Sequence, residues 1–429
     1  MLSLHDHLLG LAANSRAVAW TLRSHAGWSG SAPVRVYEWF APANAEGARA
    51  VLARVHNSMI LLNPALSELE APVGEARLQP LLGALRDVHH VPIVLRGEPL
   101  LPPTNEDGMD IPSVDISAGR TPMNALAAGL DIGGTGMKAC LLRDGQVVRV
   151  ASGPTWPDGE RGVESLIRRA RALIAEVAAG ETPGSLGIGF ASPMAVGGRV
   201  TELSTVMRDK VGNPRLLDDF AARCADGLVL GPVAMFNDLA NLGRYLSARG
   251  ARRMVRLQIG TSFGGCWIDS NGTVYATEMG RLIIDAGPDA IPHTYLPIAG
   301  AVRQYLSNLG LSMDLERRLG TPFDPRRVGH ALREGLERGE TPYREAVDRF
   351  GDAMVAVVHE LHDLLPGVTR VEVGGSMLAG PTGKALLSRV ADRVPVEFDI
   401  AAQPGHDGAI AAAQAPRVDA ALKGMKRVG

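Results

Sequence analysis

The chain has 429 residues, with a hydrophobic fraction of 46% and a charged fraction of 21%, ordinary values for a globular protein of about two to three domains. Its formal net charge is −2, so the chain lacks the excess of basic residues that is typical of nucleic-acid-binding proteins. No run of about 18 apolar residues occurs, and the first residues do not resemble a signal peptide, so we expect no membrane partner. The three cysteines form no CxxC pair and are expected to be buried residues of a cytoplasmic protein.

Residues 1–120 are predicted to form a small N-terminal α/β domain of undefined role. The pattern predicts strands at 34–40, 58–62 and 91–95 and helices at 46–55 and 77–88, which favours a parallel sheet. The stretch from Pro102 to Pro122 is rich in proline and turn residues and indicates a linker.

Two further regions, residues 125–248 and 249–429, begin alike. Each starts with a strand, a glycine turn, a second strand, a hairpin and a third strand, which predicts a duplicated architecture. In the first region we expect strands at 127–132, 138–142, 146–151, 186–190 and 233–236, and helices at 162–179, 216–224 and 239–249. In the second we expect strands at 254–259, 266–269, 273–276 and 371–373, and helices at 298–310, 327–337, 343–364 and 381–393.

The first glycine turn has the sequence DIGGTGMK over residues 131–138. The adjacent Gly133 and Gly134 permit φ > 0 and let backbone N–H groups face phosphate oxygens. Asp131 at the strand end can hold a hydrated Mg²⁺ through water, and Thr135 can add a hydroxyl donor. A plain hairpin turn is the alternative interpretation.

Two later turns have the same character. The second places Gly260, Thr261, Ser262 and Gly264 directly after a buried strand, and a hairpin is again the alternative. The third, Gly374-Gly375-Ser376, follows the strand at 371–373 and suits the nucleoside end of a nucleotide, although a plain strand-to-helix turn would look alike. The sequence contains neither a P-loop nor a dinucleotide-binding motif.

Four motifs occur in order: DIGGT at 131–135, FNDLAN at 236–241, IGTSFGG at 259–265 and VGGSM at 373–377. Together they resemble the ROK family of sugar kinases and repressors, over Leu130 to Ala413. The resemblance implies an α/β fold: a duplicated, ribonuclease H-like, two-lobed actin-like ATPase, here with an additional N-terminal α/β domain. It assigns the first phosphate loop and the catalytic Asp to the lobe at 125–248, and the second phosphate loop and the adenosine motif to the lobe at 249–429. ATP and Mg²⁺ are the implied cofactors, and Lys138 joins the glycine turns as a nucleotide-binding residue.

The resemblance makes Asp238 the catalytic base. Phosphoryl transfer mainly needs positioning and one carboxylate that accepts the hydroxyl proton. The amide of Asn237 can bind another acceptor hydroxyl. The alternative is that Asn237 or Asp238 caps the helix that follows.

The stretch Glu278-Met279-Gly280-Arg281 matches the family's Glu-x-Gly-His, with Glu278 expected to contact sugar hydroxyls. Arg281 replaces the His, the family's cysteine-rich zinc motif is missing, and Tyr295 lies near the place of a further acid. A bidentate guanidinium suits carboxylate or phosphate, so we expect an anionic acceptor, a cyclitol or an unusual sugar. A surface arginine is the alternative interpretation.

The sequence therefore predicts an ATP-dependent carbohydrate kinase that phosphorylates a small hydroxylated acceptor. Family members often dimerise, and a homodimer is expected here too. A ROK-type transcriptional regulator is one alternative, but residues 1–120 read as α/β, lack a clear recognition helix and are not basic. A catalytically inactive sugar- or nucleotide-binding protein is the other, because fold does not imply function.

Overall fold

A computed structural model of the chain describes residues 17–24, 35–40, 45–62, 66–72, 93–96, 126–157, 160–192, 194, 199–200, 203–294, 296, 298–365, 367–375, 378, 381–401 and 406–415. The chain divides into two compact units. The first comprises Met1–Ile111, Leu257–Gly265 and Thr277–Ile400, and the second comprises Pro112–Arg256, Cys266–Ala276 and Ala401–Gly429. Among the described helices, none combines the length and apolar character needed to cross a membrane.

The N-terminal part contains a four-stranded sheet and a long helix. Its elements are β1 (Ala17–Ser24), β2 (Arg35–Phe40), α1 (Ala45–Leu62), β3 (Leu66–Pro72) and β4 (Ile93–Arg96). The strand order is β2-β1-β3-β4, and β1 is antiparallel to both β2 and β3, whereas β3 and β4 are parallel. The predicted parallel sheet is therefore wrong, because β1 and β2 are consecutive strands that pair antiparallel without a crossover connection.

Helix α1 also replaces a predicted strand. The strand predicted at 58–62 is wrong, since α1 continues through Leu62, and Ser58 Oγ donates to Arg54 O at 2.9 Å within it. A short apolar run does not by itself distinguish a strand from a buried helix. The predictions at 34–40, 46–55 and 91–95 are confirmed as β2, α1 and β4. The predicted helix at 77–88 and the linker lie outside the described residues, so the domain boundaries remain predictions.

The middle part forms a five-stranded sheet with helices. Its elements are β5 (Leu126–Ile132), β6 (Gly136–Arg143), β7 (Gln146–Pro154), α2 (Val163–Ala178), β8 (Leu186–Phe190), α3 (Thr205–Val211), α4 (Phe220–Ala225), β9 (Val233–Asn237) and α5 (Asp238–Ala248). The order is β7-β6-β5-β8-β9, with antiparallel pairs along β7-β6-β5 and parallel pairs along β5-β8-β9. Leu130, Ile188 and Phe190 of the sheet share one core with Met207 and Phe220 of the helices. The predicted helix at 216–224 is divided into a 3₁₀ turn, Pro214–Leu217, and α4.

The remaining elements repeat this order. They are β10 (Met254–Ile259), β11 (Phe263–Ile268), β12 (Val274–Thr277), α6 (Asn308–Leu319), α7 (Val328–Glu337), α8 (Thr341–Leu364), β13 (Arg370–Gly374), α9 (Pro381–Val390), β14 (Glu397–Ile400) and a final helix, α10, over residues 407–415. The strand order is β12-β11-β10-β13-β14. Both five-stranded sheets thus place three consecutive strands beside two later ones, which confirms the predicted duplication.

One predicted helix is wrong. Instead of a helix at 298–310, the structure has a 3₁₀ turn, Val302–Gln304, and α6 begins only at Asn308. The reason is backbone pairing, because Ile284 N donates to Gly300 O at 2.9 Å and Val302 N donates to Leu282 O at 2.7 Å. Backbone groups used in this way cannot make helical hydrogen bonds at the same time.

Candidate active site

Two acids meet at one edge of the middle sheet. Strands β5, β8 and β9 are parallel, and their registers align Asp131 with Gly189 and Phe190 with Asn237. A Cβ atom built on Gly189 would lie 3.6 Å from Asp131 Oδ1 and 3.6 Å from Asp238 Cβ. The structure therefore brings both predicted acids to opposite sides of Gly189, at the carboxyl ends where open α/β sheets bind ligands. Gly189 was not predicted as part of the site, because one glycine in an apolar strand carries no distinctive signal.

Asp131 is enclosed by three elements. Burial raises the pKa of its carboxyl group, and Lys138, its antiparallel partner on β6, lowers the same pKa. Any side chain at position 408 would overlap this carboxylate, because Gly408 at the start of α10 packs directly against it. A helix N-terminus favours nearby negative charge. Burial therefore disfavours the ionised form of Asp131 unless a cation lies beside it. This environment is suited to a carboxylate that binds a cation.

Asn237 and Asp238 have separate tasks at the start of α5. Asn237 is the N-cap: its Oδ1 accepts from Leu239 N at 3.1 Å and Ala240 N at 3.0 Å, and its Nδ2 donates to Ser192 O at 3.2 Å. Asp238 Oδ1 accepts from Leu239 N at 3.0 Å. The alternative interpretation, that this pair caps the helix, is therefore correct for Asn237. A further contact between the Asn237 amide and an acceptor hydroxyl stays a prediction.

The first glycine loop is a tight turn. Gly133 N donates to Gly136 O at 2.9 Å, and Thr155 supports the turn, since its Oγ1 donates to Gly133 O at 2.8 Å and its N donates to Thr135 O at 3.0 Å. Neither Gly133 nor Gly134 adopts a positive φ, so that part of the prediction is wrong, whereas the contact of their N–H groups with phosphate stays a prediction. What Gly133 provides is close approach, because a Cβ there would lie 3.0 Å from Gly136 O. Thr135 is exposed.

The second and third loops adjoin one another in the first unit. Gly260 N donates to Ser262 O at 2.9 Å, and Gly260 O accepts from Asn308 N at 2.8 Å at the start of α6. Gly375 has φ 138, and a Cβ on it would overlap Ile259 O at the end of β10, so only glycine fits this position. The third loop is therefore packed on the strand that leads into the second. Ser376 lies outside the described residues.

We define the acceptor segment as residues 278–303. Glu278 is exposed and begins the 3₁₀ turn Met279–Arg281, in which Arg281 Nε lies 3.8 Å from Glu278 Oε2. A Cβ on Gly280 would overlap Phe263 O, so the turn packs on the first residue of β11. The side chain of Arg281 is 29% exposed, unlike that of a solvated surface arginine. Tyr295 lies outside the described residues.

Two buried basic residues of the acceptor segment, His293 and Arg303, were not predicted from the sequence. Burial and the charge of Arg281 lower the pKa of Arg303, while Glu278 raises it. Burial, then Arg303 and Arg281, lowers the pKa of His293 to about 4, so this imidazole is neutral at pH 7. Arg281 is thus accompanied by a second guanidinium. Arg303 carried no signal because the surrounding stretch was interpreted as an ordinary helix.

No protein-family model and no curated protein sequence matches the chain. Solved structures do match its fold. A ROK-family glucokinase from Streptomyces griseus in complex with glucose and AMPPNP is 21% identical, with 68% of this chain and 100% of that chain covered and a TM-score of 0.55. A glucokinase from Balamuthia mandrillaris in complex with glucose is 13% identical, with 71% and 96% covered and a TM-score of 0.51.

A ROK hexokinase from Thermus thermophilus is 19% identical, with 69% of this chain and 99% of that chain covered and a TM-score of 0.50. The chain is therefore an α/β protein with the actin-like ATPase fold. Its fold is that of the ROK sugar kinases, so the resemblance that its motifs predicted is confirmed at the level of the fold.

Proposed function

We propose that the protein transfers a phosphoryl group from ATP to a hydroxyl of a sugar or sugar-like molecule. The observation that carries the proposal is the placement of Asp131 and Asp238 on either side of Gly189 at the carboxyl edge of parallel strands. One acid can serve the metal and the other the acceptor hydroxyl. Phosphoryl transfer requires these two tasks and little covalent chemistry from the protein.

The residues present fit ATP with Mg²⁺. Asp131 offers a carboxylate beside the glycine at position 189, and the exposed Thr135 offers a hydroxyl at the adjacent turn. We assign the nucleotide contacts to the three glycine loops and Lys138. When bound, Mg²⁺-ATP supplies the phosphoryl group together with the charge neutralisation that its transfer needs.

Asp238 is the proposed general base. The hydrogen bond from Leu239 N fixes one carboxylate oxygen of Asp238 at the start of α5. This bond orients the side chain but does not protonate the carboxylate. A carboxylate held in this way can accept the hydroxyl proton as the oxygen attacks phosphorus, an assistance worth about 10²–10⁴-fold in rate. Asn237, fixed by its cap bonds, is proposed to bind a neighbouring hydroxyl.

The acceptor segment is proposed to select an anionic acceptor. Arg281 is partly buried, lies next to Glu278 and has the buried Arg303 in its electrostatic environment. Two guanidiniums and one exposed carboxylate favour a ligand that carries carboxylate or phosphate as well as hydroxyl groups. A sugar acid or a sugar phosphate has this chemistry.

The domain roles follow as part of the same proposal. Residues 125–248 would supply the first phosphate loop and the base, and residues 249–429 would supply the second phosphate loop and the adenosine motif. A cytoplasmic location is supported by the three cysteines, which are buried and free. Burial raises the pKa of each thiol to about 12, so they behave as apolar packing groups.

The test is ADP release that depends on an acceptor, measured with Mg²⁺-ATP over a panel of neutral sugars, cyclitols, sugar acids and sugar phosphates. We expect turnover with at least one member and a preference for anionic members. The Arg281→His variant should lose that preference by about tenfold, the value of one charge-assisted contact. An unchanged substrate ranking in this variant would contradict the role of Arg281, and duplex-DNA binding without turnover would favour a regulator.

A further inference from the structure

Helix α1 lies outside the stretch that resembles the ROK family, yet it presents buried polar side chains to the acceptor segment. Arg54, His56, Asn57 and Ser58 are each at most 8% exposed. Buried polar side chains in folded proteins normally have hydrogen-bond partners. The partners of three of them lie in the acceptor segment or on α8, all within the same compact unit.

Asn57 joins the backbone of the acceptor segment as a strand would. Its Nδ2 donates to Ile283 O at 2.8 Å, and its Oδ1 accepts from Ile283 N at 2.7 Å. The same Nδ2 donates to Glu360 Oε1 on α8 at 2.7 Å. One side chain therefore fixes both backbone groups of a residue two positions after Arg281.

His56 contacts the acceptor segment at Arg281 itself. The distance from His56 Nε2 to Arg281 O is 2.7 Å, and because a carbonyl oxygen can only accept, Nε2 is the donor. Burial lowers the pKa of His56 to about 4, so the ring is a neutral donor at pH 7. This bond holds the main chain from which the Arg281 side chain departs.

Charge and apolar packing complete the contact. Arg54 Nη2 lies 3.2 Å from Glu360 Oε2 and 3.1 Å from Asp363 Oδ2 on α8. Ala50 and Ala53 pack with Ile283 and Ala286 of the acceptor segment. Among the described side chains of α1, the hydrogen bonds of His56 and Asn57, the ion pairs of Arg54 and the packing of Ala50 and Ala53 thus involve residues 281–286 or α8.

We propose that α1 is a positioning element of the acceptor site, in which His56 and Asn57 hold residues 281–283 so that Glu278 and Arg281 are presented to the acceptor. The inference rests on the proposed kinase function and gives the N-terminal region a role in substrate selection. His56 and Asn57 are positioning residues, since they act through the backbone of the acceptor segment. Their loss should weaken acceptor binding and leave nucleotide binding intact.

The experiment compares His56→Leu with its matched control His56→Gln. Leucine keeps bulk but removes the donor to Arg281 O, whereas a glutamine amide can restore it. Two quantities are measured in each variant: amide hydrogen exchange over residues 279–286 without substrate, and steady-state KM values with Mg²⁺-ATP and the preferred panel acceptor.

For His56→Leu we expect faster exchange at 279–286 and an acceptor KM about tenfold higher, the effect of leaving one buried carbonyl unsatisfied. The KM for ATP and kcat should stay within about twofold, because the acceptor loses the same binding free energy in the ground state and in the transition state. His56→Gln should behave like the unaltered protein. The inference would be overturned by an unchanged acceptor KM in His56→Leu, or by equal increases in the KM values for the acceptor and for ATP.

Two further results keep the test decisive. Should His56→Leu fail to fold, Arg54→Lys loosens the same helix less, and it must raise the acceptor KM selectively or the inference fails. If the unaltered protein turns over no panel member, the proposed function fails on its own. Exchange at 279–286 then still decides whether α1 holds the segment, and unchanged exchange in His56→Leu would refute that too.

Discussion

The sheet edge that carries Asp131 and Asp238 and the acceptor segment are built in different ways. At the sheet edge, strand register alone brings both acids to Gly189. The acceptor segment begins with a 3₁₀ turn, forms isolated backbone bridges, and is held by side chains such as Asn57, which is 226 residues away from Ile283 in sequence. In this molecule the proposed chemistry depends on the pairing of regular strands, and the proposed selectivity depends on single side chains that hold an irregular segment. The two regions should therefore respond differently to substitution.

The largest effect that distinguishes the sheet edge from the acceptor segment is expected from Asp238→Asn. The amide keeps an oxygen for the bond from Leu239 N but cannot accept the acceptor proton, so kcat should fall by about 10²–10⁴-fold. ATP affinity and the free energy of unfolding should be nearly unchanged. Steady-state kinetics and nucleotide titration measure this, with Asp226→Asn, an exposed carboxylate on the same unit, as the control. A loss of less than tenfold would contradict the role of Asp238.

The second prediction concerns the acceptor segment and its dependence on pH. His56 has a folded-state pKa of about 4 against an ordinary 6.5, so between these values the unfolded chain binds more protons, and stability falls as the pH is lowered. From pH 7 to pH 5 this one group should cost about 2 kcal/mol of unfolding free energy. Urea unfolding of the unaltered protein and of His56→Gln at both pH values measures it. Equal losses in the two proteins would show that His56 is not the buried neutral group described above.

The smallest effect is expected from Gly189→Ala at the sheet edge. The added methyl group would meet Asp131 and Asp238 at 3.4–3.6 Å, distances that packing tolerates, so the free energy of unfolding should hardly change. The methyl occupies space between the two acids, and kcat should fall by about tenfold through misplacement of reacting groups. Gly184→Ala is the matched control, because its Cβ would meet Leu126 O at 3.5 Å at the other end of the same strands. Equal kcat values in both variants would contradict a site at Gly189.

The sequence predicted the sheet edge more fully than the acceptor segment. The strand at 186–190 was predicted with the observed bounds, since a buried apolar run between turn residues suits a parallel strand. The helix predicted at 298–310 failed because backbone groups near Gly300 pair with residues 282–284. Periodicity does not reveal such pairing, and it could not reveal that His56 and Asn57 reach residues 281–283 either.

The central claim, that a phosphoryl group passes from ATP to a hydroxylated acceptor, is tested most directly by following ³¹P resonances of Mg²⁺-ATP with the acceptor panel. The account predicts that, with a suitable acceptor, the γ-phosphate signal is replaced by a phosphomonoester signal equal in amount to the ADP formed. Without acceptor, or with Asp238→Asn, the spectrum should change little over the same time. Unchanged ATP across the whole panel, or release of orthophosphate alone, would contradict it.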